Sequence, residues 1–252
     1  MKIKHPKKSL GQNFLTDKNV ADIIVNIGDI KKNDTVLEVG PGTGNLTEKI
    51  LSKNPRKIFA IEKDKSLVKK LHERFREKII LINDDILKID EKKYSKDPMI
   101  VFGNLPYNIS TQILIKWIRY NNLNNTFKKF ILMFQKEVAE RIISKHGMKS
   151  YGRLSIMCQI YCKVNIKLII PKHMFYPQPK VDSAFVIFNR YSNDLPDINN
   201  FSNFIQQAFS QRRKKLKNNL TKAHKRGLLD KWAHLRPEEL SPKDYLQLYK
   251  RI

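Results

Sequence analysis

The residues whose types and spacing most directly suggest chemistry follow a short apolar run at 99–102. They are Asn104, Leu105, Pro106 and Tyr107. Proline fixes its own φ and favours an extended residue before it, so the Leu105 carbonyl is expected to point away from any strand ladder. That carbonyl and the Asn104 amide oxygen are two acceptors beside an aromatic face, which suits a nucleobase that carries an exocyclic amine. The alternative is a strand-to-helix turn with a packed tyrosine.

A glycine-rich segment at 40–44 follows a predicted strand, and Glu38 precedes it. Such glycines let backbone N–H groups approach a ligand closely. The dinucleotide fingerprint requires a glycine where Asn45 stands, and an acid before the loop suits a cationic ligand without phosphate. Glu62 closes the next strand, where it can accept from both ribose hydroxyls, and Asp85 follows the third, where it can accept from an adenine amine. Together these favour S-adenosylmethionine over NAD or a ligand-free structural role.

Alternating strands and helices must position these residues. Apolar runs predict strands at 35–39, 57–61, 79–82, 99–102 and 130–134. Helical spacing predicts helices at 45–52, 65–75 and 110–119, and a first helix that starts near Thr16 or Asp17. The expected buried face of that first helix comprises Val20, Ile23, Ile24 and Ile27. This alternation indicates an α/β fold with a mostly parallel sheet, whose strand ends bring the candidate residues to one edge.

The pattern changes after residue 136. Helices are predicted at 137–144 and 153–162, followed by strand-like runs at 164–170 and 184–188 that suit an antiparallel pair at the sheet edge. An extended loop with alternating prolines at 175–181 separates these two runs. Residues 191–197 are polar and predict a linker, beyond which helical spacing continues without strand runs. We therefore expect an α/β domain over 1–190 with a basic N-terminal lead-in, and a small, basic, all-helical domain over 191–252.

The charge of the chain indicates a polyanionic partner. Its 252 residues include 49 Lys and Arg against 24 Asp and Glu, a formal net charge of +25. Residues 201–252 hold 13 Lys and Arg against 4 Asp and Glu, a net charge of +9. An AT-rich genome also enriches lysine, but charge concentrated in one segment favours a nucleic-acid-binding face.

The two cysteines, Cys158 and Cys162, stand four residues apart, so on a helix they would share an apolar face and serve packing. No histidine stands near them at a ligand spacing, so we expect no metal site and no disulfide framework. The basic start of the chain leads into no long apolar segment, and no run approaches the length of a transmembrane helix. These features predict a cytoplasmic protein without a membrane partner.

Seven motifs in order identify a resemblance. They lie at 11–15, 38–44, 104–109, 135–138, 151–155, 175–183 and 211–214. This series closely resembles the ribosomal RNA adenine dimethyltransferase family, specifically its small-subunit (KsgA-type) branch. The resemblance extends from about residue 7 to about residue 220, and beyond that it implies only a helical, basic tail.

The resemblance implies a Rossmann-like, S-adenosylmethionine-dependent methyltransferase domain followed by a small helical domain. The expected reaction is dimethylation of N6 on two adjacent adenosines near the 3′ end of small-subunit (16S) rRNA, coupled to small-subunit biogenesis. The implied partner is this rRNA or the immature small subunit, with no obligate protein partner evident. The cofactor-binding residues that it implies are Asn13, Leu15, Gly40, Glu62, Asp85 and Asn104. The target-base site that it implies comprises Asn104, Leu105, Pro106 and Tyr107.

Two further sets of residues are candidates for contacts with the RNA. Tyr107 is expected to stack on a flipped base, with Phe175 on the opposite side or, alternatively, packed in the core. The expected phosphate contacts are Arg212, Arg213, Lys214, Lys215 and Lys217.

Three rival functions remain open. A large-subunit rRNA methyltransferase of the antibiotic-resistance (Erm) type shares the expected fold. A DNA adenine methyltransferase also uses an Asn/Asp-x-Pro-Tyr motif, but a target-recognition insert would be expected and the chain has no spare length for one. An RNA-binding assembly factor on a methyltransferase fold is the alternative outside catalysis.

Overall fold

The computed structural model of the chain describes residues 6–7, 10–191 and 195–252, apart from the side chains of 121–124. Residues 192–194 of the predicted linker and residues 8–9 of the lead-in lie outside this part. The described residues form two compact units, one up to Lys136 with Asn165–Asn189 and the other comprising Glu137–Val164 with Arg190–Ile252. The expected division into domains over 1–190 and 191–252 stays a prediction. The compact units differ from it in one respect, since Glu137–Val164 groups with the C-terminal residues.

The helices and strands are numbered here in chain order. Up to residue 135 they are β1 (Phe14–Leu15), α1 (Lys18–Gly28), β2 (Thr35–Val39), α2 (Asn45–Leu51), β3 (Lys57–Ile61), α3 (Lys65–Phe75), β4 (Ile80–Ile82), β5 (Met99–Gly103), α4 (Tyr107–Asn124) and β6 (Phe127–Gln135). They continue with α5 (Lys136–Ile143), α6 (Arg153–Tyr161), β7 (Cys162–Ile170), β8 (Phe175–Tyr176), β9 (Ser183–Arg190), α7 (Ile198–Ala208), α8 (Leu216–Asn219), α9 (Thr221–Lys225) and α10 (Pro242–Tyr249).

Seven strands form the central sheet in the order β4-β3-β2-β5-β6-β9-β7. The first five pair in parallel, and β9 runs antiparallel to β6, so the predicted α/β fold with a mostly parallel sheet is confirmed. The chain order reverses between β2 and β5, since β3 and β4 lie on one side and β6 on the other. Open α/β sheets bind ligands at the carboxyl ends of the strands beside such a reversal.

The two strands at this reversal are buried along their whole length. All five residues of β2 and all five of β5 are buried, which explains why both are nearly continuous apolar runs. The charged exception is Glu38 within β2, a carboxylate in a strand whose other residues are Thr35 and three apolar residues. A charged side chain at such a position is costly and therefore marks a candidate site.

Helix α1 begins as predicted, but its buried face differs. The Asp17 side chain caps the helix by accepting from the N–H of Asn19 at 2.7 Å and of Val20 at 3.0 Å. The prediction that Ile23 faces the core was wrong, because it is 48% exposed. Gly28 lies on the buried side instead, where an added Cβ would lie 2.3 Å from Cζ of Phe102. This close approach of the helix to β5 determines which face is buried.

Three further expectations change with the structure. Helix α4 starts at Tyr107 rather than Ser110, because the Pro106 carbonyl accepts from the N–H of Ile109 and of Ser110. A two-stranded sheet pairs β1 with β8, in segments that the sequence indicated only as a lead-in and a loop. Cys162 begins β7 rather than continuing α6, although both cysteines are free and buried as packing residues. Burial raises the pKa of both thiols.

The second unit is helical in its described residues beyond 195. Within it, Tyr151 is buried and its hydroxyl donates to the Leu240 carbonyl at 2.9 Å. The Ser155 hydroxyl donates to the Arg141 carbonyl at 2.6 Å, so the motif at 151–155 joins segments within this unit. Among the described residues, no helix has both the length and the apolar character that crossing a membrane requires.

Candidate cofactor and target-base site

A cleft of about 960 Å³, including its open part, lies at the carboxyl ends of the central strands. Its walls come from the N-terminal segment 10–14, the glycine loop after β2, the end of β3, the loop after β4 and the turn after β5. The predicted site residues that line it are Asn13, Gly40, Glu62, Asp85, Asn104, Leu105 and Pro106. Leu15 lines a smaller neighbouring cavity, and Tyr107 lines neither. Five separate segments are therefore brought together as predicted.

The glycine loop lets two other segments approach closely. Gly40 has φ +71°, and an added Cβ would lie 3.2 Å from the carbonyl oxygen of Asn104. Gly42 has φ +59°, and its Cβ would lie 2.8 Å from Cδ1 of Phe14. Both positions combine a left-handed backbone with a neighbour that leaves no room for a side chain. The loop is therefore built to lie against the N-terminal segment and the Asn104 turn.

Replacing Gly42 by alanine is expected to weaken binding of S-adenosylhomocysteine about tenfold or more, because the new methyl group displaces Phe14 from the cleft wall. Gly147 provides the matched control, since its φ is +82° and an added Cβ would meet nothing within 4 Å. G147A carries the same backbone strain, roughly 1 kcal/mol, without the collision. Calorimetric titration of both variants checks this, and equal affinities would contradict the role given to Phe14.

Glu62 stands directly after β3, and each of its carboxylate oxygens accepts one hydrogen bond from a backbone N–H. Oε1 accepts from the N–H of Asp64 at 2.9 Å, and Oε2 accepts from the N–H of Gly42 at 3.3 Å. Burial raises the pKa of this carboxyl, while the two backbone donors act in the opposite direction. Each oxygen retains a second lone pair, so the group can still accept from two hydroxyls of a ligand.

Glu38 is 1% exposed, and neither of its oxygens has a hydrogen-bond partner among the described residues. Burial raises the pKa of Glu38 to about 8, and the nearby Glu62 carboxylate acts in the same direction. The Thr47 hydroxyl opposes this rise, without a hydrogen bond of ordinary geometry to either oxygen. Glu38 faces a smaller cavity, which Asn104 also lines, rather than the main cleft.

Asp64 fastens the N-terminal segment beside the cleft, a role that the sequence did not indicate. Oδ1 accepts from Nζ of Lys7 at 2.8 Å and Oδ2 from Nε2 of Gln12 at 2.9 Å. These hydrogen bonds, with those from Ser66, hold the pKa of Asp64 well below its usual range despite its burial. The only sequence signal was its position as N-cap of α3, which explains the Ser66 contact and not the other two.

The same N-terminal segment meets the residues that surround the cleft. The Asn13 carbonyl accepts from Nδ2 of Asn104 at 3.2 Å, and the Leu15 carbonyl accepts from Nδ2 of Asn45 at 2.8 Å. Asn13 lines the cleft, whereas the side chain of Leu15 is buried. Leu15 therefore contributes its backbone carbonyl to the polar contacts of this region, while its side chain packs in the core.

The turn after β5 holds the Asn104 amide and the Leu105 carbonyl, the two groups predicted to act as acceptors. Asn104 uses its Nδ2 for the bond to Asn13, so its Oδ1 is the free end of the amide, buried and without a partner within the described part of the chain. Pairing of β5 with β6 ends at Gly103 opposite Leu132, so the Leu105 carbonyl lies beyond the ladder. A buried amide oxygen without a partner is costly and is expected where a ligand supplies the donor.

Tyr107 is half-buried, and its hydroxyl lies 2.7 Å from the buried Ser183 hydroxyl. Burial raises the pKa of Tyr107, which therefore stays neutral at physiological pH. The role of Ser183 was missed, although its motif at 175–183 was the available signal. Phe175 is 3% exposed and belongs to the hydrophobic core. It therefore packs in the core, as the alternative expectation had it, and presents no exposed face on which a base could stack.

The carboxylate of Asp85, in the loop after β4, is ionised and is held by two hydrogen bonds. Oδ2 accepts from Nζ of Lys63 at 2.9 Å and Oδ1 from the N–H of Leu87 at 3.0 Å. The Lys63 contact is the main reason that the pKa of Asp85 is lowered. An ionised carboxylate only accepts hydrogen bonds, which matches the amine of an adenine ring.

These residues fit S-adenosylmethionine. Carboxylates suited to an adenine amine and to ribose hydroxyls follow neighbouring strands, and Gly40 leaves space where a side chain would project. Asn104, whose Oδ1 is buried without a partner among the described residues, lines the same cleft. Glu62 and Asp85 are acceptors that suit the ribose and the adenine amine of such a ligand, which has no phosphate for the glycine loop to bind.

The chain is similar to known proteins over nearly its whole length. Residues 3–252 match the family described as Ribosomal RNA adenine dimethylase. The chain is 47% identical to "Ribosomal RNA small subunit methyltransferase A" of Pelagibacter ubique (strain HTCC1062), covering 97% of this chain and 95% of that protein. The protein of the same name from Chlorobium phaeobacteroides (strain BS1) is 40% identical over 98% of this chain and 93% of its own.

Two solved structures resemble the fold. A dimethyladenosine transferase from Plasmodium falciparum has a TM-score of 0.83 and 28% identity, covering 93% of this chain and 95% of that one. The 23S rRNA methyltransferase ErmE has a TM-score of 0.74 and 23% identity over 94% of this chain and 98% of its own, a likeness of fold alone. Because the family match and the relatives span nearly the whole chain, it belongs to the ribosomal RNA adenine dimethylase family, whose members are S-adenosylmethionine-dependent methyltransferases.

Proposed function

We propose that this chain transfers methyl groups from S-adenosylmethionine to N6 of two adjacent adenosines near the 3′ end of small-subunit (16S) rRNA. The observation that carries the proposal is the Asn104 side-chain oxygen, buried and unpartnered among the described residues, beside a cleft lined by Glu62 and Asp85. Relatives 40–47% identical bear the name "Ribosomal RNA small subunit methyltransferase A", which supports the small-subunit substrate.

Methyl transfer to the adenine amine depends more on hydrogen-bond acceptors placed at that amine than on a general base. The exocyclic amine of adenine is a weak nucleophile because its lone pair is delocalised into the ring. Hydrogen bonds from this amine to Asn104 Oδ1 and to the Leu105 carbonyl would localise the lone pair on nitrogen. The proton leaves readily once nitrogen has become cationic, so positioned acceptors supply the acceleration without a histidine or lysine in the turn.

The remaining residues orient the two reactants. S-adenosylmethionine supplies an electrophilic methyl group when it is bound. Asp85 is proposed to accept from the adenine amine of the cofactor, and Glu62 to accept from its ribose hydroxyls through the free lone pairs. Tyr107, held by Ser183 at 2.7 Å, is proposed to stack on the flipped target base.

The partner proposed for this chain is the immature small ribosomal subunit in the cytoplasm, so that methylation accompanies small-subunit biogenesis. Single-stranded loop adenosines are the accessible targets in such a particle, because bases within RNA helices are shielded. The basic character of the chain, +25 in total, suits contacts with the phosphates of the flanking helices.

The experiment that tests the function is methyl transfer from labelled S-adenosylmethionine to small subunits, large subunits and DNA, each without endogenous methylation. We expect N6,N6-dimethyladenosine at two adjacent positions on the small subunit alone, located by mass spectrometry. Label on the large subunit would indicate the Erm-type function, and label on DNA a DNA methyltransferase. Tight binding to small subunits without any label would indicate an assembly factor.

The expected phosphate contacts in the second unit are unequal. Arg212 donates to the Lys149 carbonyl at 2.7 Å and lies 3.7 Å from Glu238, so its guanidinium also serves that unit's own structure. Arg213, Lys214 and Lys215 are exposed. Arg213 and Lys214 are therefore the better probes of RNA binding, because their removal leaves those contacts intact.

The double variant R213A/K214A is expected to bind the rRNA more weakly, and the slope of log affinity against log salt should become shallower by roughly 1.4–1.8. This follows because each phosphate contact releases counterions on binding. The control K32A/K69A removes the same charge from exposed lysines of the first unit. Filter binding at several salt concentrations checks this, and equal slopes for the two double variants would refute a specific contact.

A further inference from the structure

One helix holds the loop that carries Asp85. Lys116, within α4, donates from Nζ to the Ile86 carbonyl at 2.7 Å, to the Ile89 carbonyl at 2.7 Å and to Oε1 of Glu91 at 2.8 Å. An ammonium group has three N–H donors, and these three acceptors use all of them. The loop after β4 is thus bound at three points to a single side chain.

The far end of this loop is anchored by a buried carboxylate. Glu91 is 0% exposed, and its Oε1 also accepts from Nε1 of the fully buried Trp117 at 2.6 Å. Its Oε2 has no partner among the described residues. The only donors to Glu91 among the described side chains are Lys116 and Trp117, which are neighbours on α4. The loop therefore depends on that helix, because removing the Lys116 ammonium would leave the buried Glu91 charge uncompensated.

The anchored loop forms one wall of the cleft. Asp84, Asp85, Ile86 and Leu87 all line it, and the Ile86 carbonyl bound by Lys116 belongs to the residue directly after Asp85. Helix α4 begins at Tyr107, so the same helix carries the target-base turn at its start and the anchor of this wall further along. Acceptors discriminate between ligands only when their positions are held.

We propose that Lys116 is a positioning residue, which holds the Asp85 loop against α4 and thereby sets the affinity and selectivity for the adenine end of the cofactor. The inference rests on the proposed function, in which Asp85 accepts from the adenine amine. It assigns to Glu91 and Trp117 the supporting role of keeping the Lys116 ammonium in place. None of the three side chains lines the cleft itself.

The test compares K116M and K116M/E91Q with wild type, using S-adenosylhomocysteine and S-inosylhomocysteine, which carries a carbonyl in place of the amine. The double variant removes the half-buried ammonium and the buried carboxylate together, so it decides the question if K116M fails to fold. The control K128M removes another lysine ion pair of the first unit, to Asp34 at 3.0 Å, which is away from the cleft lining. Thermal melts monitored by circular dichroism establish which variants are folded.

We expect wild type and K128M to prefer S-adenosylhomocysteine by about tenfold or more. In the Lys116 variants its affinity should fall about tenfold, while that of the inosine analogue changes by less than about threefold, so the preference shrinks. The KM for S-adenosylmethionine should rise in parallel, with kcat at saturation within about twofold of wild type.

Two results in the Lys116 variants would overturn the positioning role and leave the proposed function standing. One is unchanged affinity for both ligands, and the other is an equal loss of affinity for both, which a general loosening of the fold produces. A wild-type protein that binds neither compound, or that does not distinguish them, would instead refute the proposed use of Asp85 and the inference with it. The wild-type titration thus separates the failure of the proposed function from the failure of the positioning role.

Discussion

Replacing Asn104 by alanine is expected to lower kcat for methyl transfer by about 10²–10³-fold, while the variant still binds S-adenosylhomocysteine. The reason is that the Asn104 oxygen is one of two acceptors available to the target amine, and it has no other partner among the described residues. An interaction made in the transition state and lost on substitution lowers kcat, and saturating cofactor removes the effect of any weaker cofactor binding from the comparison. Single-turnover transfer to small subunits at saturating cofactor measures this change.

Asn219 offers a matched control for that variant. Its Nδ2 donates to the Ala208 carbonyl at 2.6 Å and to the Gln211 carbonyl at 3.1 Å, and its Oδ1 is buried without a partner in the described chain. N219A therefore removes a similar amide, with one more hydrogen bond, in the second unit. We expect kcat near the wild-type value at saturating rRNA. Similar kcat values for N104A and N219A would refute the assigned role of Asn104.

Replacing Glu38 by glutamine is expected to make the ligand-free protein more stable than wild type, by an amount that grows with pH. The pKa of this carboxyl is 4.5 when exposed and about 8 in the folded protein. Between these values the folded state holds a proton that the unfolded state has lost, so the free energy of unfolding falls as pH rises. The full loss is on the order of 5 kcal/mol above about pH 8, and it vanishes below about pH 4.5.

Urea unfolding of wild type and E38Q at pH 5, 6.5 and 8 provides the measurement. All other titrating groups are shared, so the difference between the two curves isolates Glu38. The control E77Q makes the same change at an exposed glutamate. A difference between E38Q and wild type that stays constant across this pH range would show that Glu38 ionises normally, and the proposed burial cost would be wrong.

The sequence predicted the elements of the parallel sheet because their burial leaves a clear pattern. The strands at 35–39 and 57–61 and the helix at 65–75 agree with β2, β3 and α3 to the residue. Strands covered on both faces need nearly continuous apolar runs, which few loops imitate. The alternation with helices then predicts that Gly40, Glu62, Asp85 and Asn104 stand at the carboxyl ends of neighbouring strands.

Other features leave no local signal. Strand β1 has two residues and pairs with β8, about 160 residues later, so neither shows a period that could be recognised. The grouping of Glu137–Val164 with the C-terminal residues is likewise a matter of long-range packing. Helical spacing marks a helix there without saying what it packs against.

By itself the sequence determined the class of fold, the order of the elements, and the acids and glycines that stand at the strand ends. It also predicted the two acceptors of the turn at Asn104, because proline and strand ends constrain the backbone locally. Only the tertiary structure decided that Phe175 is buried in the core, that Ser183 holds Tyr107, and that Asp64 fastens Lys7 and Gln12. These contacts join residues 52 to 76 positions apart or depend on which face is buried. Local spacing carries no information on either, because the partners meet only after the sheet has formed.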